Sequence, residues 1–122
     1  MQWLLVFIGG GLGAIARHAA GRAGLALLGP GFPWWTLAVN VSGSFAIGLL
    51  AGLFGSLETG HQARLFLITG FLGGFTTFSA FSLDALELWG RGAALQSGLY
   101  VLGSVILSLI AAVLGLMLSR LA

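Results

Sequence analysis

Charge is nearly absent from long reaches of this sequence, and that one feature decides what the chain can fold into. Between the scattered ionisable residues lie four apolar runs, roughly residues 2–28, 33–57, 63–89 and 95–119. Each reaches or exceeds the ~20 residues that a helix needs to cross the hydrocarbon core of a bilayer. A water-soluble domain covers itself with polar side chains, and a chain with 58% hydrophobic and 7% charged residues does not have enough of them. In lipid, every backbone N–H and C=O must be paired within the protein, which helices achieve and open strands do not. The sequence therefore reads as an all-α membrane protein with four transmembrane helices, a single integral-membrane domain over residues 1–122 whose solvent is the lipid bilayer.

The connections GPGFP (29–33), SLETGHQ (56–62) and GRGA (90–93) carry the Gly, Pro or charged residues expected at helix ends. They are short enough to force neighbouring helices to run antiparallel. The start, MQWLLVFIGGG, lacks the basic segment that opens a cleaved signal peptide, so the first helix is expected to be retained. Without cysteine there is no disulfide framework and no thiolate metal site. The cations are five arginines, too scattered for a nucleic-acid surface. With both termini on one side, Arg64 and Arg120 fall there and Arg22 and Arg91 fall opposite, so the bias that normally orients a membrane protein nearly cancels. That balance predicts insertion both ways up and an antiparallel, dual-topology homodimer.

Polar residues recur inside two of the apolar runs. Thr36, Asn40 and Ser44 follow one another at intervals of four, and Ser97, Tyr100, Ser104 and Ser108 at three, four and four. At ~100° per residue each set shares a helix face. Two readings are open: hydrogen bonds between helices, at ~0.6 kcal/mol each, or a path in which hydroxyl and amide protons replace water around an anion. Asn40 presses the question hardest, because an amide in mid-membrane is costly unless something satisfies it. Many of the 21 glycines lie four apart, as Gly9 and Gly13, Gly48 and Gly52, Gly70 and Gly74 do, a spacing that lets helix backbones approach closely.

The segment GFLGGFTTFSAFS, residues 70–82, concentrates these signals. Gly73 and Gly74 each lower helix propensity by ~1 kcal/mol relative to Ala, and Thr76 and Thr77 are β-branched. The segment is either a break near the middle of the third helix or a plain helix with a glycine contact face. A break at that depth must be buried in protein, line an aqueous cavity or hold an ion, and two of them across a two-fold axis could surround a small cation with carbonyls. Phe78 and Phe81 share one side of successive turns, as do Phe71 and Phe75; such rings either pack or turn a positive edge toward an anion. Arg17 either snorkels or makes a vestibule electropositive. Glu87 stands four residues before Arg91, the favourable order for an intrahelical pair, and Asp84, Glu87 and Arg91 read as structural. Glu58 and His61 have neither metal-ligand spacing nor a catalytic partner, so no enzyme is expected.

Three stretches carry a resemblance. GGLGAIAR (10–17), TLAVNVSGSFAIG (36–48) and GGFTTFSAFS (73–82) resemble the signature segments of the Fluc/CrcB family of fluoride channels, and length and helix layout agree. The resemblance implies a fluoride-selective channel that passively exports the ion and lowers cytoplasmic fluoride, located in a bacterial plasma (inner) membrane. It implies a dual-topology homodimer with two pores and a third helix broken near the bilayer midplane. It also implies a structural sodium ion at the dimer centre, held by the backbone carbonyls of Gly73 and Thr76. Phe78 and Phe81 would offer ring edges to fluoride, and Asn40 would bond the ion or orient those rings. Thr36, Tyr100, Ser104 and Ser108 match the family's polar track and Arg17 its vestibule arginine; Ser44, on the face of Asn40, is read with them. Ala80 stands where the family often has Thr, Asp84 where it has Glu, Trp35 where it has Gly and His18 where it has an aromatic. The alternative is a small proton-coupled multidrug exporter of the four-helix dual-topology type, which needs a membrane-embedded carboxylate that the first, second and fourth helices lack.

Overall fold

The computed structural model describes residues 1–55 and 60–122, and among them there is no strand. Four stretches are long and apolar enough to cross a membrane: Gln2–Leu28, Trp34–Phe54, His61–Gly90 and Ala94–Ser119. Helix α1 spans Gln2–Leu28, as the sequence reading has it. Helix α2 covers Trp34–Phe54, beginning one residue later than expected because Pro33, with no N–H to give, takes the N-cap position. Leu57 and Glu58, read as the end of the second run and part of the loop after it, lie outside the described residues. The third run comprises α3 (His61–Arg64), a π-helical segment (Leu65–Leu72), α4 (Gly73–Phe75) and α5 (Phe78–Gly90), and α6 (Ala94–Ser119) completes the chain. Two glycines in left-handed geometry end helices at one side of the bundle. Gly29 (φ 75°) closes α1, donating to the carbonyl of Leu25, and Gly92 (φ 83°) follows α5, where the Ala93 N–H returns to Leu88.

The helices meet through glycine. A Cβ added at Gly9 would run into the carbonyl oxygen of Phe66, one at Gly13 into that of Phe71, and one at Gly74 into that of Gly10. From Gly9 to Gly13 the partner advances from Phe66 to Phe71, so α1 and the third run lie parallel, backbone on backbone. Gly48 likewise faces the Ala112 carbonyl and Gly52 the Ser119 side chain, which sets α2 parallel to α6. Close packing accounts for these glycines, because without a hydrophobic force between helices in lipid, near approach is what holds them together.

The α5–α6 contact is built differently, from side chains. Ser97 donates to the Ala85 carbonyl at 2.8 Å, and the largest fully buried side chains are Leu88 and Tyr100. Most other leucines, isoleucines and valines of the long helices face outward, the arrangement of a protein whose solvent is hydrocarbon. Arg91 departs from the intrahelical pair that its spacing from Glu87 predicts. Its guanidinium crosses to the α1–α2 loop and donates to the Gly31 carbonyl at 2.6 Å. An exposed ion pair one turn away is worth little net, and the Gly31 carbonyl, in a loop with no helical donor, is satisfied by the guanidinium instead.

Candidate functional site

The site grows from two residues between α4 and α5. Thr76 (φ −79°, ψ 154°) and Thr77 (φ −152°, ψ 120°) are both extended. In continuous α-helix the N–H of Thr77 would reach the carbonyl of Gly73, and that of Ala80 the carbonyl of Thr76. Both are diverted. The Thr77 N–H donates to Oδ1 of Asn40 at 2.8 Å, and the Ala80 N–H to the Thr77 hydroxyl at 3.1 Å, which makes Thr77 the N-cap of α5. Asn40 completes the exchange by donating from Nδ2 to the Thr77 carbonyl at 2.9 Å. One side-chain amide thus satisfies both backbone groups of Thr77, as a neighbouring strand would. The carbonyls of Gly73 and Thr76 are left without their helical donors. That of Gly74 receives Nε of Arg17 at 3.1 Å. Gly43, with no side chain, leaves room for the Thr76 methyl.

Two cavities flank this junction. The first, about 350 Å³, is lined by Asn40 and Ser44 of α2 and by Ser104 and Ser108 of α6, with Thr76, Phe78 and Phe81 completing its wall. The Phe78 and Phe81 rings stand 5.4 Å apart at 58°. They are unequal in setting, since Phe81 is 7% exposed and Phe78 77%. Ser104 belongs to this wall, and its hydroxyl is buried with no hydrogen-bond partner among the described residues. The second cavity, about 460 Å³, holds Arg17 and Thr36 together with His18, Arg22 and Trp35.

Most of the residues singled out from the sequence are therefore brought together, but not as one seam. Thr36 belongs to the second cavity, Asn40 and Ser44 to the first. Tyr100 lines neither: it is buried, its hydroxyl donates to Oδ2 of Asp84 at 3.0 Å, and its ring packs 5.2 Å from Phe81 and 5.4 Å from Phe32. Gly73 also lines neither and is exposed on the outer face of the chain. Thr77, which sequence reasoning treated only as β-branched strain, is the residue that borders both cavities. The signal for it was present as a Thr at the start of a helical run, a capping residue before FSAFS.

The family described as CrcB-like protein, Camphor Resistance (CrcB), matches residues 4–116. The chain belongs to the CrcB family. Its relatives there include the fluoride-specific ion channel FluC of Sphingopyxis alaskensis, 53% identical over 116 residues that cover 94% of this chain and 92% of that protein. The protein of the same name from Mesorhizobium japonicum is 51% identical over 117 residues, covering 96% of this chain and 94% of the relative. The one from Rhizobium etli strain CIAT 652 is 51% identical over 121 residues, covering 98% and 97%. Four apolar helices and membership of this family make the chain an integral membrane protein.

Proposed function

We infer that this chain is a fluoride channel that lets the ion leave the cell down its gradient across a bacterial plasma (inner) membrane. The observation that carries the reading is the first cavity: Ser44, Ser104, Ser108 and Asn40 beside two phenylalanine rings, with no acidic residue among the described lining. Fluoride is small and strongly hydrated, so a selective path must replace its water with many weak donors. Serine hydroxyls supply some, and the positive edges of Phe78 and Phe81 supply others. Asn40 has one amide proton committed to Thr77 and a second still free to give to an anion. Arg17 attracts the ion from water into the second cavity, of which Thr36 is a buried part of the wall. Tyr100, its hydroxyl taken by Asp84, enters by holding Phe81. The names of the relatives support this assignment, and conduction of this kind needs no catalysis.

The same reading takes two copies in opposite orientation as the working unit, an antiparallel homodimer in which the exposed Phe78 and Gly73 meet the partner. Thr76 and Thr77 are then the interruption of a third span near the bilayer midplane, admissible because protein covers it. The Gly73 and Thr76 carbonyls, deprived of helical donors by Asn40 and Thr77, suit a hard cation such as sodium; when bound, the ion supplies positive charge that offsets the carbonyl dipoles of both copies. In liposomes loaded with salt, the purified protein should release fluoride to an ion electrode and retain chloride. Equal release of chloride, or none of fluoride, removes the assignment. Labelling of a C-terminal tag on both faces of the membrane tests dual topology.

A further inference from the structure

The two cavities share one lining residue among those described, Thr77. Its backbone cannot take part in moving an ion, because Asn40 holds both its N–H and its carbonyl. Its hydroxyl can. As N-cap that oxygen accepts from the Ala80 N–H, a bond that uses a lone pair and leaves the hydroxyl proton uncommitted. The Ser79 hydroxyl lies 3.3 Å away, longer than the ~2.7–2.8 Å usual for two hydroxyls and so readily given up. Two hydroxyls own two protons, and a bond between them consumes one in either direction. One O–H therefore always remains to donate, and rotation about the C–O bonds decides which residue carries it. Ala80, which also borders the Arg17 cavity, has no polar side-chain atom to compete.

Resting on the fluoride reading above, we propose that the Thr77 hydroxyl is the donor that passes the anion between the Arg17 cavity and the phenylalanine-lined cavity. With an anion beside it, Thr77 turns its proton toward the ion while Ser79 donates to the second lone pair of the Thr77 oxygen. No proton changes owner, and the α5 cap stays in place throughout. Thr77 is thus both the cap that positions Phe78 and Phe81 and a contact for the ion itself.

Fluoride efflux from liposomes tests this with wild type run in parallel. Thr77→Val keeps the β-branched shape and removes the hydroxyl; its flux should fall about tenfold or more, the scale of a lost preorganised donor. Thr77→Ser should stay within about threefold of wild type, since it keeps both lone pair and proton. The chain has no native cysteine, so Thr77→Cys gives a single thiol. An anionic methanethiosulfonate added from the aqueous phase should react with it and block flux, and fluoride should slow the reaction, a protection that a merely structural cap would not produce. Silent wild type defeats the fluoride reading itself. Conducting wild type with Thr77→Val within about threefold overturns the proposal. Should Thr77→Val not assemble, the Thr77→Cys variant decides: a thiol that does not react, or that reacts with flux unchanged, overturns it equally.

Discussion

The two sides of Thr76–Thr77 are held by opposite means. Before the junction, the π-helical segment and α4 lie on α1 backbone to backbone, with Gly9, Gly13 and Gly74 keeping side chains out of the closest contacts. After it, α5 lies on α6 through side chains, with Leu88, Phe81 and Tyr100 filling the space and Ser97 and Asp84 making the hydrogen bonds. A contact between backbones has no rotamer to change, so it fixes distance; a contact between side chains can repack. The first half thus works as a rigid rail, and the second as an adjustable mount for the aromatic rings.

Breaking the rail should have the largest effect. In Gly13→Val the new side chain meets the Phe71 carbonyl and the Phe75 amide, neither of which can step aside, so α1 must separate. We expect a loss of about 3 kcal/mol or more, seen as aggregated rather than monodisperse protein in size-exclusion chromatography. A change confined to the mount, such as Leu88→Ile, should by contrast cost less than about 1.5 kcal/mol, because the volume is conserved. Equal loss in the two variants would erase the distinction.

The junction comes next. Asn40→Asp keeps an acceptor for the Thr77 N–H but, once ionised, cannot donate to its carbonyl, and it places an acid in the anion cavity. Fluoride efflux should fall by about a hundredfold, corresponding to the loss of a positioned donor and the arrival of a like charge. Asn40→Leu removes both bonds and should also lower the thermal midpoint in detergent. Beyond the junction, Tyr100→Phe keeps the ring against Phe81 and loses the Asp84 bond. It should cost about 1–2 kcal/mol in stability, while efflux stays within about threefold if the hydroxyl does not touch the ion. A near-complete loss of flux would return Tyr100 to the path itself. Smallest of all is Arg91→Ala. Cutting an exposed tie to Gly31 should lower stability by about 1 kcal/mol at most, read as a slight fall in thermal midpoint.

Which of these features could be seen in the sequence follows from their range. The four spans depend on length and polarity alone, and Gln2–Leu28 emerges at its observed bounds. The glycine rails were legible because a four-residue spacing states which face is bare, though it does not say against which helix. Arg91 misleads for the same reason. Glu87 is its neighbour along the helix, but the Gly31 carbonyl, 60 positions distant in sequence, becomes a neighbour only once the loops share one end of the bundle. Periodicity likewise set Tyr100 in line with Ser104, and only the packing of α5 on α6 turns its hydroxyl to Asp84. Thr77 was missed because a β-branched residue reads as a weak helix former, while its capping role requires knowing that α5 begins just after it.

The stretch Leu65–Leu72 is wound as a π-helix. Hydrogen bonds that skip five residues instead of four take up surplus chain, so this stretch packs more residues into each turn than the α-helices do. Deleting a single residue there can be absorbed by rewinding to ordinary α geometry, with everything downstream keeping its facing. The same deletion in α6 would swing each later side chain by ~100°. Length variation among homologues in this part of the molecule should therefore collect in that segment.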